Sequence, residues 1–345
     1  MKESAGAIRA LTPARFWGWM LAFGAFAALC VVIAPIFGSV NISFARALDF
    51  SIPLVNNPDR EILFATRLPR IVLALVTGAS LALSGAALQA LLKNPLASPF
   101  TLGVASGGTL GAALVIFLGV GGAMLVPGTV AGSFVFSLGT LALVWALAYR
   151  RGRLPTGTLL LAGVSVNFLF AAVVLLLQYL SDFEQNMALI RWMMGSLDTV
   201  GYAPVWGILP VLVIAAVALF VCARAFNLLA LGDEAARTAG VDLELLEVVG
   251  FLASGLLAGA AVSQVGPIGF VGLIVPHAVR MMVGPDYRLV LPGSLLVGAG
   301  FLVLCDLVSR TALGGTELPP GIITALLGAP FFLWLLKTKS SEVFV

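Results

Sequence analysis

The sequence contains unusually few charged residues. Of its 345 residues only 10% are Asp, Glu, Lys or Arg, whereas 60% are hydrophobic. A soluble domain is about 25% charged, so these charges are too few to cover a globule of this size. Most of the surface must therefore contact lipid. The net charge of +3 is small, and no basic run with interleaved aromatic residues indicates a nucleic-acid partner.

Metal ligands and catalytic groups are also sparse. His277 is the single histidine, and the three cysteines, Cys30, Cys222 and Cys305, each lie in an apolar stretch. This scatter argues against a disulfide framework or a zinc site. The sequence also lacks a glycine-rich GxxxxGK[ST] nucleotide loop. We therefore predict that this chain is not an enzyme and that it has no catalytic residue, no metal site and no cofactor of its own.

Long apolar runs dominate the rest of the chain. A membrane span needs about 20 apolar residues, and we predict ten spans, at 16–38, 68–92, 98–120, 124–149, 157–180, 203–223, 245–265, 267–283, 289–309 and 319–337. The first run exceeds the roughly 7–15 apolar residues of a signal peptide. We therefore predict that it is retained as a first helix.

The distribution of basic residues predicts an orientation. With the N-terminus in the cytoplasm, the inner segments hold 13 of the 19 Lys and Arg residues and the outer segments hold the other 6. Cytoplasmic loops carry such an excess, and an even number of spans returns the C-terminus to the same side. We predict one all-α, polytopic transmembrane domain over residues 1–345 with both termini cytoplasmic. Residues 224–247, between the sixth and seventh spans, then form the longest polar cytoplasmic stretch.

Small residues predict close helix packing. Gly103, Gly107 and Gly111 repeat every four residues in the third predicted span, and Gly255 and Gly259 do so in the seventh. Such spacing lets helix backbones approach each other in membranes. In addition, GASLALSGAA at 78–87 resembles ASGLLAGAA at 253–261, and the two copies cross the membrane in opposite directions. We predict a weak inverted internal repeat, an arrangement found in many transporters.

A few ionisable residues are candidates for function. Asp306 is an acid inside a predicted span, and is either a hydrogen-bonding group within the bundle or a proton or ion relay. His277 is either a packing residue near the cytoplasmic side or a substrate ligand. Arg67, Arg70 and Arg310 lie at the outer ends of spans, against the positive-inside bias. They suggest an acidic partner, since guanidinium pairs well with carboxylate; snorkelling at the interface is the alternative.

Six ordered blocks between Arg67 and Lys337 resemble a known family. They read RLPRIVLALVTGASLALSGAALQALLKNPLASPFTLGVASG, LLLAGVSVN, RWMMGSL, LLALGDEAARTAGV, GPIGFVGLIVPHAVRMMVGPDYR and ELPPGIITALLGAPFFLWLL. The chain resembles the permease subunits of FecCD-type (type II) ATP-binding-cassette (ABC) importers for iron chelates, haem and vitamin B12. This resemblance implies ten spans in the bacterial cytoplasmic (inner) membrane. It also implies a homodimer or a pair of homologues, with the translocation path between the two permease subunits.

The resemblance also implies partners and their contact residues. A separate ATPase subunit dimer would hold ATP and Mg and bind coupling helices at Leu231–Val241, with the motif positions Gly232, Glu234, Ala235, Ala236 and Gly240. A periplasmic or lipid-anchored substrate-binding protein would engage the three arginines Arg67, Arg70 and Arg310 through its glutamates. The cargo would be an iron chelate (siderophore), haem or a corrinoid such as vitamin B12.

Gate and pathway positions follow from the same resemblance. The inner gate would consist of Asn94 and Leu96 after the second span and of Thr156 and Gly157 before the fifth. Gly157 departs from the serine associated with the vitamin B12 permease. A bulky chelate needs a pathway wall with few polar groups, so that it binds only weakly. The fifth span offers such a wall, with Asn167 and Gln178 as its sparse polar groups. The outer end of the path is expected near Trp192, Met193 and Met194.

Two other functions stay open at this point. The chain could be an ion-coupled secondary transporter with Asp306 as the coupling site, or a structural or receptor membrane protein that transports nothing. The cargo is open as well. The block RWMMGSL slightly favours a corrinoid, whereas iron chelates are the commonest cargo of the family.

Overall fold

Helices make up most of the described part of the chain. The computed structural model describes residues 11–119, 125–149, 155–313 and 316–338. Within these ranges the α-helices are α1 (Pro13–Ile33), α2 (Phe44–Ala47), α3 (Pro58–Glu61), α4 (Leu68–Leu91), α5 (Val104–Phe117), α6 (Leu125–Ala148), α7 (Thr156–Leu180), α8 (Phe183–Met193), α9 (Ala203–Val221), α10 (Ala223–Ala230), α11 (Asp233–Thr238), α12 (Leu243–Val265), α13 (Val271–Val283), α14 (Tyr287–Thr311) and α15 (Pro320–Thr338). A 3₁₀ turn (Leu54–Asn56) and a π-helical turn (Ile62–Arg67) precede α4.

Each predicted span contains one apolar helix. Among the described residues, seven helices are long and apolar enough to cross a membrane: α1, α4 with the turns before it, α6, α7, α9, α12 and α14. Three more contribute shorter apolar stretches, at Val104–Phe117, Val271–Val283 and Pro320–Trp334. The all-helical membrane fold is confirmed, whereas ten crossings stay a prediction. Cytoplasmic termini stay a prediction too, because several of the basic residues behind it lie outside the described residues, namely Lys2, Arg9, Arg150, Arg151, Arg153 and Lys339.

The third predicted span begins later than the sequence suggested. Its apolar run starts at residue 98, but α5 begins at Val104. Ser98 and Thr101 exchange backbone-to-side-chain hydrogen bonds of 3.1 and 3.3 Å, which close a turn that competes with helix formation. Gly103 then turns the chain with φ +83°, a conformation in which glycine has no steric penalty.

Helix α4 is the centre of the bundle. Its most apolar stretch is 89% buried, compared with 11% for α1 and 22% for α7. It packs on α14, α12 and α13, and glycines allow the closest approaches. A Cβ on Gly78 would lie 2.2 Å from the carbonyl oxygen of Gly298, and one on Gly85 would lie 1.7 Å from that of Gly272. The backbones of these helices therefore touch directly.

The glycine repeats lie at helix contacts, as predicted. In α5, a Cβ on Gly107 would lie 2.0 Å from the Thr140 hydroxyl oxygen and one on Gly111 would lie 2.2 Å from the Gly132 carbonyl oxygen, both on α6. In α12, Gly255 faces Leu141 of α6 at 2.1 Å. The two segments of the predicted inverted repeat, in α4 and α12, also pack together: the Ser84 hydroxyl donates to the Ser254 carbonyl at 2.7 Å.

Amphipathic helix α8 was missed from the sequence because it is too short and too polar to be a span. Its start is fixed by Asp182, whose carboxylate accepts the Gln185 N–H at 2.8 Å while the Gln185 side chain bonds back to the Asp182 N–H. This reciprocal arrangement is a capping box. It was readable in the sequence DFEQ.

Candidate docking and coupling sites

Arg70 is surrounded by three carboxylates. Its Nε donates to Asp306 at 2.8 Å, and its Nη1 donates to Asp198 at 2.5 Å and to Glu317 at 2.6 Å. The Arg70 side chain is 7% exposed and the Asp306 side chain is fully buried. Burial of charges is tolerated only when they are paired and hydrogen-bonded, and this cluster meets that condition within one chain.

Arg310 shares the Asp306 carboxylate. Its Nε lies 2.9 Å from Asp306 Oδ2, one helical turn away on α14. Two arginines therefore hold the buried acid in place within the bundle. This position agrees with the first alternative for Asp306, a hydrogen-bonding group within the bundle.

Arg67 and Arg310 also bind the backbone that follows α1. Arg67 donates to the carbonyl oxygen of Pro35 at 2.8 Å and to that of Val40. Arg310 donates to those of Phe37 at 3.3 Å and Ala34 at 3.4 Å. The last carbonyls of a helix lack intrahelical partners, and basic side chains satisfy them. Arg310 thus reaches the C-cap carbonyl of α1, whereas Arg67 holds the loop that follows the helix.

The three predicted docking arginines are therefore gathered in one place, but they are buried, at 5% to 6% exposed. Their role in docking stays a prediction. The sequence did not reveal their internal partners Asp198 and Glu317, because these lie 128 and 247 residues from Arg70. The available signal was that both acids fall in predicted outer loops, on the same side as the arginines.

On the opposite side of the bundle, Gln89 of α4 contacts α13 near Pro276, which lies inside this continuous helix. Pro276 has no N–H, so the carbonyl of Gly272 four residues earlier loses its helical partner. The Gln89 amide Nε2 lies 3.4 Å from the Gly272 oxygen and 3.3 Å from that of Leu273. Arg280 donates to Gln89 Oε1 at 3.1 Å. His277 lies near the rings of Phe331 and Phe332, with centroids 6.5 Å apart, which agrees with a packing role.

The predicted coupling segment is a short exposed helix between two glycines. Gly232 and Gly240 have φ +121° and +84°, and a Cβ on either would meet no described atom within 4 Å. Both are therefore needed for backbone conformation alone. Within the segment Ala236 is buried, Glu234 and Ala235 are exposed, and Leu231 is 70% exposed. An apolar side chain this accessible beside charged neighbours suits a protein partner.

Helix α10, which the sequence did not separate from α11, anchors this segment to the bundle. Its Asn227 donates to the Asp286 carboxylate at 2.8 Å and accepts the Tyr287 N–H at 2.8 Å. Burial raises the pKa of Asp286, but hydrogen bonds from Arg288 and Asn227 outweigh it and hold the pKa below its usual value. The acid thus stays ionised at the start of α14, where it also caps the helix.

The two predicted gate loops meet. The Thr156 hydroxyl lies 3.5 Å from the Leu92 carbonyl oxygen at the end of α4. Asn94 accepts the Leu96 N–H at 2.9 Å, which closes an Asx turn, and Leu96 is exposed. Among the described residues, no atom lies within 4 Å of a Cβ on Gly157. The geometry brings these loops together, and their gating role stays a prediction.

The predicted pathway residues differ in their hydrogen-bond partners and in their solvent exposure. Asn167 of α7 is committed to α5 and the turn before it: its Nδ2 donates to Phe100 at 3.0 Å and its Oδ1 accepts from Ser106 at 2.6 Å. Gln178 is more accessible and lies 3.4 Å from the sulfur of Met193. Met193 and Met194 are 40% and 39% exposed, and Trp192 is half-buried. Asn167 thus helps to hold the wall of α7 in place.

Comparison with known proteins identifies the family. The model of the FecCD transport family matches residues 26–338, almost the whole described chain. The chain belongs to the FecCD transport family. Among its relatives, the cobalamin import system permease protein BtuC of Halobacterium salinarum is 44% identical over 87% of this chain and 79% of that protein. The hemin transport system permease protein HmuU of Yersinia pestis is 37% identical over 88% of this chain and 91% of that protein.

A solved structure agrees with the fold. An inward-facing putative metal-chelate type ABC transporter matches with a TM-score of 0.82 and 34% identity, over 93% of this chain and 99% of that chain. This FecCD family member is therefore an ABC importer permease, a multi-pass protein of the cytoplasmic membrane and a transport subunit of a family not known for enzymatic activity. An ion-coupled secondary transporter is not favoured, and the two arginines on Asp306 are the physical reason.

Proposed function

We propose that this permease moves a bulky metal-containing chelate, which is an iron chelate, haem or a corrinoid, into the cytoplasm as part of a binding-protein-dependent ABC importer. ATP would be hydrolysed by a separate ATPase subunit dimer, and the permease would work as a homodimer. The names of relatives support the cargo class, since they include cobalamin and hemin permeases. We favour no single cargo within it.

The observation that carries the proposal is the exposed coupling segment. Residues 231–241 project a helix of six residues between two glycines with positive φ, on the side of the bundle that the basic residues predict to be cytoplasmic. Leu231 and Ala235 present apolar surface there without a partner among the described residues. An ATPase subunit could bind such an exposed segment and so act on a membrane subunit that has no nucleotide-binding loop of its own.

The apolar face of α7 supports a second permease subunit. Four apolar residues recur at the spacing of one helix face and are 64% or more exposed: Leu161 (69%), Phe168 (74%), Leu175 (64%) and Tyr179 (86%). Gly157 and the gate loops lie at one end of this helix. A path between two such faces would have the bland wall that a large cargo needs, because strong polar sites would trap it.

Reconstitution tests the proposal. The permease and its ATPase are placed in proteoliposomes with the binding protein, and uptake of cyanocobalamin, haemin and a ferric siderophore is followed with and without ATP. We expect ATP-dependent uptake of one cargo. Leu231→Glu should abolish ATPase copurification, whereas Val55→Glu, at a side chain 96% exposed in the predicted outer loop, should not. Uptake that needs no ATPase would refute the proposal.

A further inference from the structure

A cavity of about 630 Å³ lies between the end of α9, the helix α10 and the start of α12. We call it the interfacial cavity. Its wall is mostly apolar and includes Val221, Leu228, Leu245 and Val249. Sites for small molecules typically have volumes of about 300–1,000 Å³ and apolar walls with a few polar groups. The interfacial cavity therefore has the size and the lining of a ligand site.

An exposed apolar face of α9 leads to this cavity. Val213, Val217 and Val221 follow one another every four residues and are 54%, 59% and 78% exposed, so they lie on one face of the helix. Helix α9 is long and apolar enough to span the membrane. The face proposed above for a second permease subunit belongs to α7, which leaves the face of α9 to lipid. An acyl chain that lies along α9 thus reaches the interfacial cavity over apolar surface.

Two opposite charges line the same cavity, Arg224 and Asp242. Both are exposed, and neither makes an ion pair with the other or with any further residue that the structure describes. The Asp242 carboxylate accepts the Leu245 N–H at 3.1 Å, and a carboxylate can accept further hydrogen bonds. Because α9 ends at Val221 and α12 begins at Leu243, both charges lie where the spans meet the membrane surface.

We propose that the interfacial cavity binds a phospholipid whose headgroup carries both a phosphodiester and a primary ammonium group, as in phosphatidylethanolamine. Arg224 would hold the phosphate, since guanidinium forms charge-assisted, bidentate hydrogen bonds with phosphate oxygens. Asp242 would accept the ammonium group, and an acyl chain would lie against α9 and fill the cavity. This inference goes beyond the proposed function, because it requires neither a cargo nor an ATPase.

The pair of charges also defines which headgroups fit less well. A purely anionic headgroup, as in phosphatidylglycerol, pairs with Arg224 but brings a second negative charge close to Asp242. A choline headgroup keeps the positive charge but has no N–H to donate to the carboxylate. The bound lipid would join α10 to α12, the two helices that hold the ends of the coupling segment at residues 231–241.

Native mass spectrometry of the delipidated permease in detergent tests the inference. The dissociation constant of the first bound lipid is measured for phosphatidylethanolamine, phosphatidylcholine and phosphatidylglycerol with identical acyl chains. We expect phosphatidylethanolamine to bind about fivefold more tightly than the other two, which is the upper end for an exposed ion pair. Arg224→Gln should weaken its binding by about the same factor.

Asp242→Asn tests the ammonium contact without removing the helix cap, because Asn caps helices about as well as Asp. We expect it to abolish the preference for phosphatidylethanolamine over phosphatidylcholine. Asp182→Asn is its matched control, since Asp182 is an exposed cap of α8. Arg46→Gln, at an exposed arginine outside the cavity, is the control for Arg224→Gln. Both controls should change the dissociation constants less than about twofold.

Three outcomes would overturn the inference. Equal dissociation constants for the three lipids would show that the cavity takes acyl chains without reading the headgroup. A preference for phosphatidylglycerol that persists in Asp242→Asn would exclude the ammonium contact. Binding of lipid without selectivity, together with loss of ATPase copurification in Arg224→Gln, would assign the cavity to the ATPase interface instead.

Discussion

Replacing Gly85 by alanine should separate α4 from α13. The new Cβ would lie 1.7 Å from the Gly272 carbonyl oxygen, whereas ordinary van der Waals contact begins at 3.4 Å. To restore ordinary contact, the two backbones must move apart by roughly 1.7 Å. The atom in the way is backbone, so no rotamer change relieves the clash. Overpacking of this kind costs about 1–3 kcal/mol.

Gly139→Ala provides the matched control. Gly139 also lies within a helix, in α6, and a Cβ there meets no atom of the described residues within 4 Å. Alanine favours a helix over glycine by about 1 kcal/mol, and this gain is common to both variants. It therefore cancels when they are compared, which leaves the overpacking term of about 1–3 kcal/mol as the expected difference.

Unfolding by SDS in mixed micelles, followed by circular dichroism, measures this difference. We expect Gly85→Ala to unfold at a lower SDS fraction than the wild type and Gly139→Ala at the same or a higher one. Equal stability of the two variants, within about 0.5 kcal/mol, would show that α4 and α13 do not touch through their backbones, and it would refute the packing described here.

Three more predictions concern polar contacts, each followed by thermal unfolding in detergent. Asp306→Asn should destabilise the protein by about 3–5 kcal/mol, because it leaves buried guanidinium charge uncompensated; a loss below about 1 kcal/mol would contradict the pairing. Burial raises the pKa of Glu317, but hydrogen bonds and the charge of Arg70 outweigh it and hold the pKa below its usual value. Its stabilising contribution is therefore complete above the unfolded pKa of about 4.3 and is lost as the pH falls through the lower folded pKa. Glu317→Gln should consequently weaken the dependence of stability on pH in the acid range. An unchanged dependence would count against the contact between Glu317 and Arg70. Gln89→Leu should lower the stability of the protein by about 1–3 kcal/mol, because it leaves a backbone carbonyl of α13 unpaired. The loss should be smaller in a Pro276→Ala background, where the helix itself supplies the missing N–H. Equal losses in the two backgrounds would exclude this compensation.

The apolar helices were predictable from the sequence because lipid exposure imposes a local pattern. A run of about 20 apolar residues is visible without any knowledge of neighbours, and all ten predicted segments contain an apolar helix. The glycine contacts were predictable for a similar reason, since their four-residue spacing is local. The start of α5 was wrong because the hydrogen bonds between Ser98 and Thr101 are invisible to hydropathy.

The charge cluster could not be predicted in detail because its partners are distant in sequence. The loops that carry Asp198 and Glu317 contact Arg70 through the tertiary packing of the bundle, which local sequence patterns do not show. The sequence showed three arginines opposed to the positive-inside bias and suggested an external acid. The structure supplies internal acids for Arg70 and Arg310 and backbone carbonyls for Arg67. Similarly, the role of Gln89 depends on Pro276, on a helix nearly 190 residues away.

One further contact joins the inner end of α4 to the coupling segment. Lys93 Nζ lies 2.5 Å from the Asp233 carboxylate, with the side chains 41% and 60% exposed. An ion pair this exposed adds little to stability, about 0–1 kcal/mol, and it therefore breaks easily. If α11 binds the ATPase as proposed, we expect this weak ion pair to pass small displacements of α11 to α4 and to separate under larger ones, before the packing of the bundle is disturbed.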